Sequence, residues 1–561
     1  MKNICLPGNI ARLLLIIICT ILFKTANAQP AITSFSPTSG VIGSTVTITG
    51  NNFNTIPGYN IVYFGAVRAT ITTSTVSALT VTVPTGATYT PISVTTGGLT
   101  GYSSLPFVVT SPGGGGIAFQ QGSFSSPLTF IAGSNPSTIF TSDVDGDGKP
   151  DMVSINLASN TLSVYRNSST SGNLSFSPKV DFATGSYPEM VIMADVDGDS
   201  KPDAVVPNYG SGTVSVFRNI STPGLITFAP KVDFIVGAGP LDAVIGDVDG
   251  DGKPDIVVTN NTSNTVSLLK NTTINSIISF AAKIDLPTGN NPQNAILSDL
   301  DGDRKPEIAV IDGGNNVSIY KNSSTINTIS FASKIDFFCG NTPNYIAGGD
   351  LDSDGKSELV IASNAAVTVL QNTSSVGSLS FDRRDFSTGS TNFIVSIGDI
   401  DGDSKPDLAV TSYVSGRVAL MRNTSTTGTI IFETALNFTT GSNPFGNALC
   451  DFDGDGLSDL AVANFSANSL SVRRNSTTNA NSPNISGFSP TSAGTGTEVT
   501  ISGSNLTGAT SVSFGSVPAS SFTVISSTTI KASVANGASG SVQITTPNGN
   551  AGLGGFVYVL F

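Results

Sequence analysis

The chain of 561 residues contains no histidine and no tryptophan. The missing histidine excludes Ser-His-Asp and Cys-His catalysis and any His-ligated zinc site. The missing tryptophan weakens the case for a deep aromatic sugar cleft. Cysteine is scarce too: Cys5 and Cys19 lie near the N-terminus, which leaves Cys339 and Cys450. These two sit at different positions of different repeats, so they are expected as small buried thiols and not as a disulfide. Charged residues make up only 12% of the chain and are unbalanced, with 26 Lys and Arg against 39 Asp and Glu. The formal net charge of −13 is unsuited to nucleic acid or an anionic membrane surface, which demand clustered Lys and Arg. Gly, Ser, Thr, Asn and Val dominate instead, the composition of an all-β protein with many turns.

The apolar run LLLIIICTILF follows Lys2 and Arg12 and precedes TANA, whose Ala26 and Ala28 suit a cleavage site. This predicts a secretory signal peptide over 1–28, too short to span a membrane. Ile18 stands before Cys19, where lipoprotein processing needs a small residue, so release as a soluble protein is expected. Loss of Lys2, Arg12 and Lys24 takes the formal charge from −13 to −16. No later segment is long and apolar enough to cross a bilayer, so no membrane insertion is expected.

What is abundant is one acidic sequence, DVDGDGKPD at 143–151. It recurs as DVDGDSKPD from Asp195, DVDGDGKPD from Asp247, DLDGDRKPE from Asp299, DLDSDGKSE from Asp350, DIDGDSKPD from Asp399 and DFDGDGLSD from Asp451. The starts are 52, 52, 52, 51, 49 and 52 residues apart. An F-x-x-G-x-x-P element precedes the acidic loop, as in Phe182, Gly185 and Pro188. Four short β-rich runs bounded by turn residues fill each repeat, and no helical periodicity is present. Seven repeats of four strands predict an all-β, seven-bladed propeller over 117–480. The last repeat lacks its outer strand, and SFSSPLTF, ending at Phe130, is expected to supply it and latch the ring.

Two similar stretches flank the repeats. ITSFSPTSGVIGSTVTITGNNF at 32–53 matches ISGFSPTSAGTGTEVTISGSNL at 485–506. Domains at 30–110 and 482–561, each of short alternating strands, are expected to be β-sandwiches, with SPGGGG at 111–116 as a flexible linker. The F-S-P-x-S-G opening and G-x-x-F core resemble the IPT/TIG immunoglobulin-like family.

The acidic loop offers carboxylates at positions 1, 3, 5 and 9 and a carbonyl at position 7, the hard oxygen shell that Ca2+ prefers. The candidate ligands are Asp143, Asp145, Asp147 and Asp151; Asp195, Asp197, Asp199 and Asp203; Asp247, Asp249, Asp251 and Asp255. The later copies supply Asp299, Asp301, Asp303 and Glu307; Asp350, Asp352, Asp354 and Glu358; Asp399, Asp401, Asp403 and Asp407; and Asp451, Asp453, Asp455 and Asp459. They account for 28 of the 39 acids. Up to seven Ca2+ ions, one per blade, would bring −16 to about −2. The alternative is a solvated acidic turn, which seven copies in register disfavour. An EF-hand is a poorer match, because its closing Glu lies at position 12 and a helix follows. Glu307 and Glu358 replace the closing Asp and reach further, so weaker binding is expected there. The motif in this setting resembles the FG-GAP/VCBS repeat family, which includes the integrin α-subunit head. That resemblance implies calcium-stabilised adhesion or recognition more often than catalysis.

Successive loops of a blade alternate between two faces, so the acidic loops rigidify one and leave the other to vary. On that second face Tyr209, Tyr413 and Phe465 hold equivalent places in three blades and are candidate ligand contacts. Ordinary loop aromatics at the rim are the commoner reading of such residues. Outside the motifs, Asp181, Asp233, Asp285, Asp336 and Asp385 share one repeat position and are expected to be structural. The remaining acids suggest no acid–base pair. The recurrent N-x-S/T sequences are read as turn chemistry and not as glycosylation signals. The expectation is a secreted, monomeric, non-enzymatic protein, its flanking modules acting as spacers, that binds an extracellular protein or glycan. The alternatives are a carbohydrate-binding lectin and a polysaccharide-degrading lyase or hydrolase.

Overall fold

The computed structural model describes residues 28–111, 118–477 and 483–559, apart from Ser516, Ala538, Pro547 and Asn548. The expected signal peptide up to residue 27, most of the Gly-rich stretch expected as a linker and residues 478–482 lie outside the described residues.

Seven small antiparallel sheets follow one another along the chain. Blade three is representative: Pro240–Gly246 innermost, then Asp255–Asn260, Thr265–Leu269 and Ile284–Pro287 outermost. All six residues of Asp255–Asn260 are buried. A strand covered on both faces by neighbouring blades reads as a continuous apolar run, which is why DIVVTN does not alternate. The outer strands alternate less and are mostly exposed, as in Ile284–Pro287. Blade seven takes its inner three strands from Pro444–Cys450, Asp459–Asn464 and Ser469–Arg473. Its outer strand is Leu128–Ile131, paired antiparallel with Ser469–Val472. The ring therefore closes by the expected latch.

Blade five departs from the four-strand expectation. Its second and third runs form one extended segment, Glu358–Asn372, so the sheet has three segments. The loop between those runs is short here, and Ala365 takes a left-handed conformation (φ 64°) where the chain turns.

The blades are stitched by a buried asparagine at the end of each third strand. Asn271 donates to Pro254 O in its own acidic loop (2.9 Å) and to Val196 O in the preceding blade's loop (2.9 Å). Asn167, Asn219, Asn322, Asn372, Asn423 and Asn475 make the same cross-blade bond at 2.8–3.0 Å. The Asn167 bond reaches Phe452 O and so joins blade one to blade seven. Each of these residues opens an N-x-S/T sequence, and Asn271 Oδ1 accepts the Thr273 amide, so their chemistry is that of a turn.

Both flanking modules are β-sandwiches. The first packs Ala31–Ser36, Thr45–Asn51, Ala78–Thr82 and Thr70–Ser74 against Val67–Arg68, Asn60–Phe64, Pro91–Thr96 and Leu99–Pro106. Phe64 and Phe107 meet edge-on in its core at 5.1 Å. The second module repeats this with Val499, Ile501, Phe514 and Phe556 at its centre.

The first module is not a spacer. It lies on the propeller face that carries the acidic loops, where Asp143 N–H donates to Ala66 O (2.9 Å) and Thr100 N–H to Gly252 O (2.7 Å). Tyr63 OH donates to Ser200 O (2.9 Å), and Gln29 Nε2 donates to Asp247 Oδ2. Tyr63, Tyr89 and Tyr102 line a central cavity of about 480 Å³ together with inner-strand residues of all seven blades. The module thus closes the channel mouth on the acidic side.

Replacing a stitching amide leaves two carbonyls and an amide buried without partners, each costing about 1–3 kcal/mol. Asn271→Ala is therefore expected to destabilise the propeller by about 3 kcal/mol or more, measured as an earlier midpoint in denaturant unfolding. Exposed Asn290→Ala serves as the control and should change it little.

Candidate metal centres

Each acidic loop is built from its own backbone. In the first copy Asp143 Oδ2 accepts the Gly148 amide (3.0 Å), Asp145 Oδ1 the Asp147 amide (3.1 Å) and Asp147 Oδ1 the Lys149 amide (3.0 Å). The curl requires left-handed backbone at positions 4 and 6, taken in that copy by Gly146 (φ 75°) and Gly148 (φ 87°). Ser200, Arg304 and Ser404 adopt it at position 6 in other copies.

The closing acid ties the loop to the strands. Asp151 Oδ2 accepts the Val144 amide (3.0 Å) and Oδ1 the Asn167 amide (2.8 Å). The same pair of bonds recurs at Asp203, Asp255, Asp407 and Asp459. Glu307 and Glu358 keep both bonds, with the second stretched to 3.3 Å. All seven closing acids are 0% exposed.

The loops bring carboxylate oxygens close together. Oxygens of Asp143, Asp145 and Asp151 lie within 4.8 Å of one another. So do those of Asp195, Asp197 and Asp199, of Asp247, Asp249 and Asp251, of Asp299, Asp301 and Asp303, and of Asp350, Asp352 and Glu358. In copies two to four the tight group is formed by positions 1, 3 and 5, with the closing acid outside it. These clusters can hold a metal ion. All the donors are hard oxygens, and buried Asp143 Oδ1 has no hydrogen-bond partner, as an oxygen meant for a cation would.

A feature missed in the sequence is a basic residue facing six of the seven loops from the end of the third strand. Arg166 Nε and Nη2 reach Asp145 and Asp147, both at 2.6 Å. Lys270, Arg422 and Arg474 pair with the same two positions, and Lys321 lies 2.6 Å from Asp301. Arg218 stands back, 3.6 Å from Asp197. In blade five the place belongs to Gln371, which donates to Asp352 Oδ2 (2.9 Å). The fixed offset from the acidic motif was the available signal.

The five repeated acids outside the loops behave as expected. Asp181, Asp233, Asp285 and Asp336 each accept from a serine hydroxyl at 2.6–2.7 Å, and Asp385 from Thr368 at 2.7 Å. Cys339 and Cys450 are free and buried.

On the opposite face, the structure brings Tyr413 and Phe465 together, ring centroids 6.1 Å apart. Phe393 and Phe445, which sequence reasoning passed over, complete the group: Phe393 lies 4.9 Å from Tyr413, and Phe445 stacks on Phe465 at 5.8 Å. Tyr209 stands apart, 37% exposed, its hydroxyl against Thr262 Oγ1.

The chain belongs to the FG-GAP-like repeat family, whose pattern matches residues 143–206, 203–258, 247–310, 299–361, 350–410 and 399–462. Residues 30–110 and 483–559 match the IPT/TIG domain. No curated protein matches the chain. Among solved structures it is similar to BBS1N in complex with ARL6DN (12% identity, TM-score 0.44, covering 64% of this chain and 98% of that one). An auxiliary nutrient binding protein from Bacteroides ovatus is 11% identical (TM-score 0.35, 80% and 99% covered). An Agrocybe aegerita lectin that recognises non-reducing terminal N-acetylglucosamine is 16% identical (TM-score 0.38, 68% and 94% covered).

Burial pushes the carboxyls of Asp151, Asp255 and Glu358 up to about 8, and those of Asp195, Asp399 and Asp451 to about 7, against the opposing pull of loop amides. These groups hold protons in the ion-free fold that the unfolded chain releases near pH 4. Stability contributed this way is present at low pH and is lost as pH rises through the folded values. The thermal midpoint of the metal-free protein is expected to fall between about pH 5 and pH 8. A saturating divalent cation should flatten that decline by holding the carboxylates ionised. A metal-free midpoint that climbs over this range would contradict the account.

Proposed function

We propose that this chain is a secreted, calcium-stabilised, non-catalytic recognition protein that binds an extracellular protein or glycan on the propeller face opposite the acidic loops. The observation that carries this reading is the aromatic platform of Phe393, Tyr413, Phe445 and Phe465. The loops bearing these rings contain Ser, Thr, Asn and Gly but no charged residue. Ring faces beside uncharged hydrogen-bonding groups suit a neutral partner better than nucleic acid or a polyanion. The acidic face is unsuited to the same task at its centre, because the first module occupies it.

Calcium, in this reading, is structural. Seven oxygen clusters supply hard donors, and the ion would hold the loops against which the module rests. Enzymatic function is not part of the proposal. Asp242 faces the channel, but its carboxyl, pushed up to about 7 by burial, is bonded by the Ala295 amide (3.0 Å).

An ion bound only to the fold at a hundredfold excess over its Kd contributes about 2.7 kcal/mol. Chelation should therefore lower the thermal midpoint by several degrees, and an unchanged melting curve in EDTA would remove calcium from the proposal. For the binding face, the calcium-loaded mature chain is applied to a glycan and polysaccharide array. A hit abolished by Phe445→Ala with Phe465→Ala, and kept in Tyr209→Ala, supports a glycan partner. A blank array supports a protein partner, while product release from any polymer would contradict the non-catalytic reading.

A further inference from the structure

Six of the seven acidic loops carry their own counter-cation, and one does not. Arg166, Arg218, Lys270, Lys321, Arg422 and Arg474 occupy the same place at the ends of the third strands and point their charge at loop positions 3 and 5. They reach for the Oδ2 atoms, as Arg166 does with Asp145 and Asp147. The Oδ1 atoms of these same residues already accept loop amides. An incoming cation must therefore share these oxygens with a fixed positive charge or displace it, and either weakens binding.

Blade five differs at that facing position, where Gln371 stands in place of Arg or Lys, as well as in Ser353 and Glu358 within the loop. Gln371 donates from Nε2 to Asp352 Oδ2 (2.9 Å), while its Oε1 accepts from Arg384 Nε (2.9 Å). The neutral amide keeps that guanidinium one residue back from the carboxylates. The loop otherwise keeps the common form, with the Asp354 amide on Asp352 Oδ1 and the Lys356 amide on Asp354 Oδ1. Blade four provides an internal comparison. It too closes with a glutamate, Glu307, yet retains Lys321 at 2.6 Å from Asp301, so the closing residue does not separate the two sites.

We infer that Gln371 makes the loop of Asp350, Asp352, Asp354 and Glu358 the preferred calcium site of the seven. This rests on the reading of the loops as calcium sites, and it reverses the expectation, drawn from its longer closing acid, that the blade-five site is weak. The six other loops are partly neutralised from within and take up calcium at higher concentration.

The test is calorimetric titration of calcium chloride into the EDTA-stripped mature chain. One ion is expected to bind at least about tenfold more tightly than the rest. Gln371→Lys should abolish that tight event, and neutral Gln371→Met should retain it. Lys321→Gln should raise the number of tight ions from one to two, which keeps the inference testable if Gln371→Lys fails to fold. Seven equivalent ions, or a tight event that survives Gln371→Lys, would overturn the role of Gln371 while leaving the calcium reading intact. No binding at all would overturn both.

Discussion

Crowding four carboxylates into nine residues, each partly or wholly out of water, is the constraint around which this molecule is organised. An ionised carboxylate removed from water needs hydrogen-bond donors and opposite charge, or it takes up a proton. Here the donors are the loop's own amides, the left-handed turns at positions 4 and 6 bring them round, and the closing acid collects one more from the third strand. The opposite charge comes from Arg or Lys in six blades, and the remaining demand is what a divalent cation would meet.

The consequences spread outward from each loop. The asparagine that follows the basic residue shares its amide between two adjacent blades, so the order of one loop is also the order of its neighbour. Asn167 carries this across the closure, where the strand Leu128–Ile131 completes blade seven. The first sandwich module sits directly on the loops and closes the channel at that end. One side of the propeller is thereby committed to structure. The other side is free of acidic loops and carries four aromatic rings amid uncharged polar groups.

Much of this was legible in the sequence because repetition made it so. The seven acidic motifs, the apolar runs between them and the missing outer strand sufficed for blade number and closure. The flanking modules were readable from their shared F-S-P-x-S-G opening. Other features depend on distances that only folding creates. Arg166 and Asn167 are adjacent in every repeat of their kind, yet their partners lie across a hairpin and in another blade. Tyr413 and Phe465 looked equivalent to Tyr209, but Phe393 and Phe445 gather only the first two into one surface. The docking of the first module left no sequence pattern, because Ala66 and Thr100 meet the loops through backbone groups that any residue offers and the Tyr63 hydroxyl finds only a loop carbonyl, Ser200 O. In blade five, Ala365 takes the left-handed turn position that Gly or Asn holds in the other blades.

Amide hydrogen exchange at the seam between module and loops is the most direct measurement. The Asp143 and Thr100 amides cross it, to Ala66 O and Gly252 O. If calcium-held loops support the module, both amides are protected in calcium and lose that protection in EDTA, together with the loop amides of Gly148 and Gly252. Protection that is the same with and without calcium would contradict the account, since the loops would then be held by their own hydrogen bonds and basic residues alone.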